Sequence, residues 1–271
     1  MNRKWIRRLS LCLCLLFLAM AIWFALQLAA SARKYRRGEA DLQAMYQLRS
    51  ELQPAELVPE EILQVMDEAS ARAARIENRR IALESYGKLS KWNPDLCGWV
   101  KIEGTVIDYP VMQTPENPNY YLHRGFDGEY SAYGMIYLDA RCSLEGDCPN
   151  YLLYGHHMKN GSMFASLEQY ASPEYGNSHP LIQFDTLTET ASYRVMAVLR
   201  LDADSLSPDF TAMLAARTQE DYEALVKYAA AHRLYDTGVS AEWPQQLITL
   251  TTCEYSHKNG RLLVFAVKEE N

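Results

Sequence analysis

The apolar and polar positions divide the chain into three textures. The first is an uncharged, strongly apolar run over residues 9–32, bracketed by Arg3, Lys4, Arg7 and Arg8 before it and by Arg33, Lys34, Arg36 and Arg37 after it. At about 1.5 Å per helical residue, this run is long enough to cross a hydrocarbon core of roughly 30 Å, so it predicts a membrane-spanning helix. Ala30-Ser31-Ala32 has the small-x-small form of a signal-peptide cleavage site. The apolar regions of signal peptides usually run only about 7–15 residues, however, and an uncleaved anchor is expected. Because the two flanks carry equal numbers of cations, charge counting leaves the orientation open.

The second texture, over 33–89, is rich in Ala, Glu, Arg, Leu and Gln and contains one glycine, Gly38, before Gly87, which favours helix. Pro54 and Pro59 interrupt it, and Pro59-Glu60-Glu61 reads as a helix start, with proline in the first turn and acids at the positive end of the dipole. Leu63, Met66, Ala69, Ala73 and Ile76 then recur at three- and four-residue spacing. That spacing predicts one apolar stripe lying on the following domain, with Arg72, Arg75, Arg79 and Arg80 largely off it.

The third texture begins after Trp92-Asn93-Pro94, where Gly and Pro become frequent and short β-branched or aromatic runs appear. Strands are expected at 98–102, 106–111, 135–138, 151–154, 181–184, 192–201, 247–252 and 262–267. Eight short strands in this span predict a mainly β domain closed as a barrel or stacked as a sandwich. Two helical patches interrupt them, a short one at 163–170 and a longer one at 219–232 with Tyr222, Leu225, Val226 and Ala229 on one face. The expected organisation is therefore an N-terminal tail and transmembrane anchor over 1–32, a helical stalk over 33–90 and a β domain over 91–271.

Composition supports this division. With 271 residues, 48% hydrophobic and 23% charged, the chain is neither disordered nor fibrous. Its net charge of −7 hides a split: residues 1–90 hold 14 Lys and Arg against 10 Asp and Glu, and residues 91–271 hold 13 against 24. So acidic a domain argues against a nucleic-acid partner, which needs clustered cations.

The cysteines differ by position. Cys12 and Cys14 lie in the apolar run, as small apolar residues or lipidation sites. Cys97 precedes a strand and reads as a core thiol, while Cys142 and Cys148 flank a loop short enough for a disulfide in an oxidising exterior. The histidines show no ligand spacing with a second cysteine pair, so no metal is expected. Cys253 stands apart because it ends the run 247–252, where a strand delivers it to the polar loop 254–260. The next strand opens with Arg261, which offers Cys253 a fixed cation and up to five N–H donors. A nearby cation favours the thiolate, the reactive form. About 100 residues upstream, Tyr151-Leu152-Leu153-Tyr154-Gly155 is followed by His156 and His157, and a histidine brought to Cys253 could exchange protons with it and with a leaving amine.

These residues resemble the sortases. Thr249-Leu250-Thr251-Thr252-Cys253 is similar to their T-L-x-T-C signature, and Arg261 in Gly260-Arg261-Leu262-Leu263-Val264 to their arginine. The run 154–164, which contains His156, resembles the histidine segment of class B sortases, as does the opening run 98–111. The helical insertion at 219–232 also fits class B rather than class A. The resemblance covers roughly 90–268 and implies an eight-stranded β-barrel with helical insertions, behind an N-terminal anchor. It further implies a cysteine transpeptidase that cuts a C-terminal sorting motif, L-P-x-T-G-like or N-P-x-T-x, of a secreted protein.

On that resemblance Cys253 would attack the threonine carbonyl to form a thioester, and the amine of a peptidoglycan precursor or cross-bridge would take the acyl group. His156 would move protons, Arg261 would hold the substrate carbonyl and the oxyanion, and Thr251 and Glu254 would contact substrate; no cofactor is needed. The family's histidine directly follows glycine, which selects His156 over His157, leaving His157 a surface or supporting residue. His123, His179, His232 and His257 read as solvated loop or helix-end residues. A thiol hydrolase with the same residues, or an anchored binding module without activity, are the alternatives. Sorting signals lie outside the membrane, so the expected topology is N-terminus in, catalytic domain out.

Overall fold

A computed structural model describes residues 3–52, 57–58, 60–144, 146, 148–202, 212–254 and 260–270. One continuous helix, α1 (Arg3–Leu52), carries the apolar run and extends well past it. Its segment Leu11–Ala44 is long and apolar enough to cross a membrane. Phe17 and Trp23 are 64% and 63% exposed there, a display of large apolar side chains that water would penalise and lipid would not.

A one-turn helix α2 (Glu60–Leu63) and a long helix α3 (Glu68–Trp92) follow. The break between them corrects the expected apolar stripe. Asp67 caps α3, its side chain accepting from the Ser70 backbone N–H at 3.0 Å, so the helical phase restarts there. Consequently Leu63 is buried on α2, but Ala69, Ala73 and Ile76 face outward, and the face α3 buries is Ala71, Ile81, Ser85, Tyr86 and Leu89. Tyr86 stacks on Trp99 with ring centroids 5.8 Å apart, and its hydroxyl donates to Asp185 at 2.9 Å. Each such buried side chain contributes about 1.5–3 kcal/mol. Together with Leu96, Met112, Tyr121, Phe126 and Met135 they form an apolar cluster separate from the main core.

Eight strands close the expected barrel: β1 (Leu96–Lys101), β2 (Asp108–Met112), β3 (Ile136–Leu138), β4 (Asn150–Gly155), β5 (Leu181–Thr186), β6 (Thr190–Asp202), β7 (Leu247–Glu254) and β8 (Gly260–Lys268). Their order around the barrel is β1-β2-β3-β4-β7-β8-β6-β5, so no sheet edge is left open. Both faces of the strands beside the site are covered: Leu250 and its partner Val264 point to one side, Leu152 and Phe265 to the other, and none of the four has any exposure.

Helices interrupting the strands after β4 include a short α4 (Pro173–Ser178) and α5 (Gln219–His232), which matches the predicted 219–232. A Thr218 capping box starts α5, and Tyr222, Leu225 and Ala229 are its buried face. The short patch predicted at 163–170 is a 3₁₀ helix, Ala165–Ala171, rather than an α-helix.

Candidate active site

Two parallel strands and one antiparallel neighbour bring the expected residues to one end of the barrel. β4 and β7 pair in parallel up to Gly155 opposite Thr252. The next residues on the two chains are His156 and Cys253. On the other side of β7, Cys253 is the register partner of Arg261 on β8, and Arg261 also pairs with Leu201 on β6. Arg261 is half-buried, and its Nη1 donates to the Gly260 carbonyl at 3.1 Å.

Glycine makes the β4 terminus possible. A Cβ on Gly155 would lie 2.5 Å from Phe164 Cδ2 and 2.6 Å from Ile136 Cδ1, so only glycine lets the chain leave the strand there and present His156. The His156 backbone carbonyl then accepts from the Phe164 N–H at 2.9 Å, closing the turn that follows it.

His156 Nε2 lies 2.7 Å from the carbonyl oxygen of Leu122. A carbonyl only accepts, so this bond requires the proton on Nε2 and leaves Nδ1 for proton traffic. Burial holds the His156 pKa below its ordinary 6.5; the Leu122 bond opposes this and the neighbouring His123 adds to it. The neutral imidazole, a base, is therefore the resting form at neutral pH.

Three features around His156 carry no signature in the sequence. His123, expected as a solvated loop residue, is exposed but stacks on His156 with centroids 5.5 Å apart and planes 18° from parallel. The Leu122 carbonyl that receives Nε2 is backed by Gly134, which has φ +59°. A Cβ there would meet Leu122 O at 2.5 Å and Tyr121 O at 2.7 Å. Asp139, nearly buried, accepts from Arg141 at 2.7 and 2.8 Å and from the Tyr154 hydroxyl at 2.9 Å, bracing β4 two residues before His156. Burial pushes the Asp139 carboxyl up, but these hydrogen bonds outweigh it and hold its pKa below 3.8.

His157 bridges to Met163 across the turn that follows β4. Its side chain is 12% exposed and its Nε2 stands 3.5 Å from Glu168, so it is a half-buried supporting residue. His179 is half-buried, stacked on Tyr175 at 4.1 Å, also unlike the solvated residue expected, while His232 is exposed at a helix end as expected. His257 lies outside the described residues. Thr251 is 6% exposed and pairs with Tyr154 and Leu263 on either side.

Cys97 is buried, and burial pushes its thiol up. Cys142 and Cys148 are free thiols, each donating to the Asn150 carbonyl, at 3.4 and 3.3 Å. The contact between them raises Cys142 and lowers Cys148.

A strand-end cysteine paired with arginine, with a glycine-preceded histidine on the adjoining parallel strand, invites comparison with known proteins. The family model for the sortase domain matches residues 100–269. The chain belongs to the sortase family. Its relatives include sortase B of Listeria monocytogenes, 33% identical over 178 residues that cover 65% of this chain and 70% of the relative. Sortase B of Staphylococcus aureus is 29% identical over 185 residues, covering 67% and 73%. Among solved structures, a mutant form of Clostridium perfringens sortase B superimposes with a TM-score of 0.65 at 28% identity, over 72% of this chain and 90% of that one. A Staphylococcus aureus sortase B–substrate complex gives 0.64 at 25% identity, over 78% and 94%. The class B resemblance and the eight-stranded barrel both hold, and the sortase activity is that of a cysteine transpeptidase.

Proposed function

We propose that this sortase is a membrane-anchored transpeptidase in which Cys253, His156 and Arg261 perform the chemistry. Cys253 Sγ attacks the threonine carbonyl of an L-P-x-T-G-like or N-P-x-T-x sorting motif, and its proton passes to neutral His156 at Nδ1. The imidazolium protonates the departing amine as the C–N bond breaks, leaving a thioester on Cys253. A cell-wall amine, on a peptidoglycan precursor or cross-bridge, then loses its proton to His156 and takes the acyl group. Arg261 stabilises the oxyanion formed in both steps, a contribution of about 3 kcal/mol for a well-aimed donor. Thr251 and Glu254, flanking the nucleophile, border the bound peptide. The anchor lies in α1 with its N-terminus inside the cell, and the acidic domain faces the wall.

The observation that carries this reading is the register: Cys253 is paired with Arg261, and His156 and Cys253 each follow the last paired residues of β4 and β7. Its test is cleavage of a fluorogenic sorting peptide with and without an added amine. Ligated product appearing only with wild-type protein is expected; a Cys253→Ala variant that cleaves at wild-type rate would sink the reading. Hydrolysis without ligation would instead mark a thiol hydrolase. Protease cleavage of the 91–271 domain in intact cells tests the topology.

A further inference from the structure

The juxtamembrane turns of α1 do not stand clear of the barrel. Gly38 lies against the loop between β2 and β3, where a Cβ would come within 2.4 Å of Tyr133 Cδ2 and 2.9 Å of Ser131 Oγ. Glycine weakens a helix interior, so its place here is explained by the close approach it permits. One turn later Leu42 is 7% exposed and belongs to the same apolar core as Tyr109, Tyr133 and Met163. Tyr35 meets the Tyr133 ring edge-on at 6.2 Å, and Tyr46 lies 6.0 Å from the Tyr109 ring, with a hydrogen bond between their side chains. Arg37 pairs with Asp127 at 3.5 Å, and Lys34 Nζ sits 4.8 Å from the Tyr130 ring centroid.

The residues that α1 touches support the surroundings of His156 at one remove. Tyr133 accepts at its hydroxyl from Asn160 Nδ2 at 2.7 Å, and Tyr109 accepts from the Met163 N–H at 2.9 Å. Asn160 and Met163 both lie in the turn that begins at His156, and Met163 keeps a φ of +58°, a conformation that costs a non-glycine residue energy unless its surroundings impose it. On the other flank, Tyr130 stacks with His123 at 6.2 Å, and His123 with His156. The helix therefore reaches the histidine by two routes, through the turn behind it and through the ring stacked on it.

We propose that residues 34–46 of the anchor helix are a positioning element for His156, so that full activity requires the docked anchor and not the barrel alone. The proposal rests on the catalytic role given to His156 above. It also sets the site's height: at about 1.5 Å per residue, the docked segment spans about 18 Å beyond the last uncharged turn of the anchor. The histidine then works close to the membrane surface, not at the end of a long tether.

The test uses the full-length protein in lipid nanodiscs, with kcat and KM measured on a fluorogenic peptide carrying an N-P-x-T-x or L-P-x-T-G motif. Backbone hydrogen exchange over 156–164 is followed in parallel. Gly38→Leu and Tyr46→Ala are expected to lower kcat about 10-fold at unchanged KM and to speed exchange in 156–164 while β7 and β8 stay protected. Tyr46→Phe, which keeps the ring, should retain most of the rate. Gly87→Ala on α3, where a Cβ would meet nothing within 4 Å, serves as a glycine control and should match wild type. Tyr46→Ala replaces a partly exposed residue and folds if Gly38→Leu does not. Wild-type kcat and exchange in Tyr46→Ala would overturn the proposal. A His156→Ala variant of wild-type activity would overturn the catalytic reading instead, while the exchange data would still report on the brace.

Discussion

The two sides of the site are held by different kinds of structure. Cys253 and Arg261 face each other across a ladder of eight paired positions between β7 and β8, so backbone hydrogen bonds fix their spacing. His156 stands one residue past the end of β4, and what fixes it is a set of single contacts: the Leu122 carbonyl, the His123 ring and the close packing of Gly155. A ladder loses little when one side chain changes. A bracket of single contacts is broken by any one of them, so substitutions should act through chemistry on the first side and through geometry on the second.

The largest effect belongs to the ladder side. Arg261→Lys keeps the charge and the register but replaces a planar fork of donors by a compact ammonium. We expect kcat/KM for sorting-peptide cleavage to fall about 100-fold, the size typical of a lost oxyanion donor, with the thermal midpoint unchanged. Activity near wild type would remove Arg261 from the chemistry and leave Cys253 without its partner.

Next comes Gly134→Ala, far from Cys253 in sequence and on the bracket side. The new Cβ collides with the Leu122 carbonyl, and φ +59° is itself strained for alanine. A displaced carbonyl no longer fixes the Nε2–H tautomer, and a loss of about 10-fold in kcat is expected, with about 2 kcal/mol less stability. Unaltered kinetics would show that His156 keeps its orientation without that acceptor.

The contrast also explains what could be read from the chain. All eight strands and α5 were legible, because alternation and β-branched runs mark a barrel strand wherever it sits. Cys253, Arg261 and His156 stood out because strand ends present side chains, and because their motifs resemble those of a known family. The apolar face of α3 was misjudged because a four-residue break capped by Asp67 shifts helical phase, and nothing in the spacing of Leu63 and Met66 reveals the shift. His123, Leu122 and Gly134 were not legible, since a backbone carbonyl has no signature and the ring that stacks on His156 comes from 33 residues away. The docking of α1 was hidden likewise: Gly38 reads as a weak point in a helix until Tyr133 is placed beside it.

Asp139→Asn probes the bracket one layer further out. It leaves Arg141 and Tyr154 with a poorer acceptor, and we expect about 2 kcal/mol of lost stability, or about 5 °C in Tm, with kcat changed less than by Gly134→Ala. The Asp139 pKa is lowered in the fold, so its stabilisation is present above 3.8 and is lost as pH falls through the still lower folded value. Wild-type protein should therefore show an acid-limb loss of stability that Asp139→Asn lacks. If the two acid limbs coincide, the brace under β4 is not electrostatic.

The smallest effect separates the two functions of the ring on His156. His123→Phe keeps a flat ring to stack but removes the imidazole whose charge weighs against a charged His156. Burial is the main reason the His156 pKa lies below 6.5, and His123 is a lesser contributor, so the phenylalanine should let that pKa rise only slightly. Because neutral His156 is the base, kcat/KM falls as pH drops through its pKa. The acid limb of the profile should then move to higher pH while the plateau stays at the wild-type level. A plateau that drops instead, with the limb unmoved, would mean that phenylalanine cannot fill the bracket and that the imidazole of His123 is needed for geometry rather than charge.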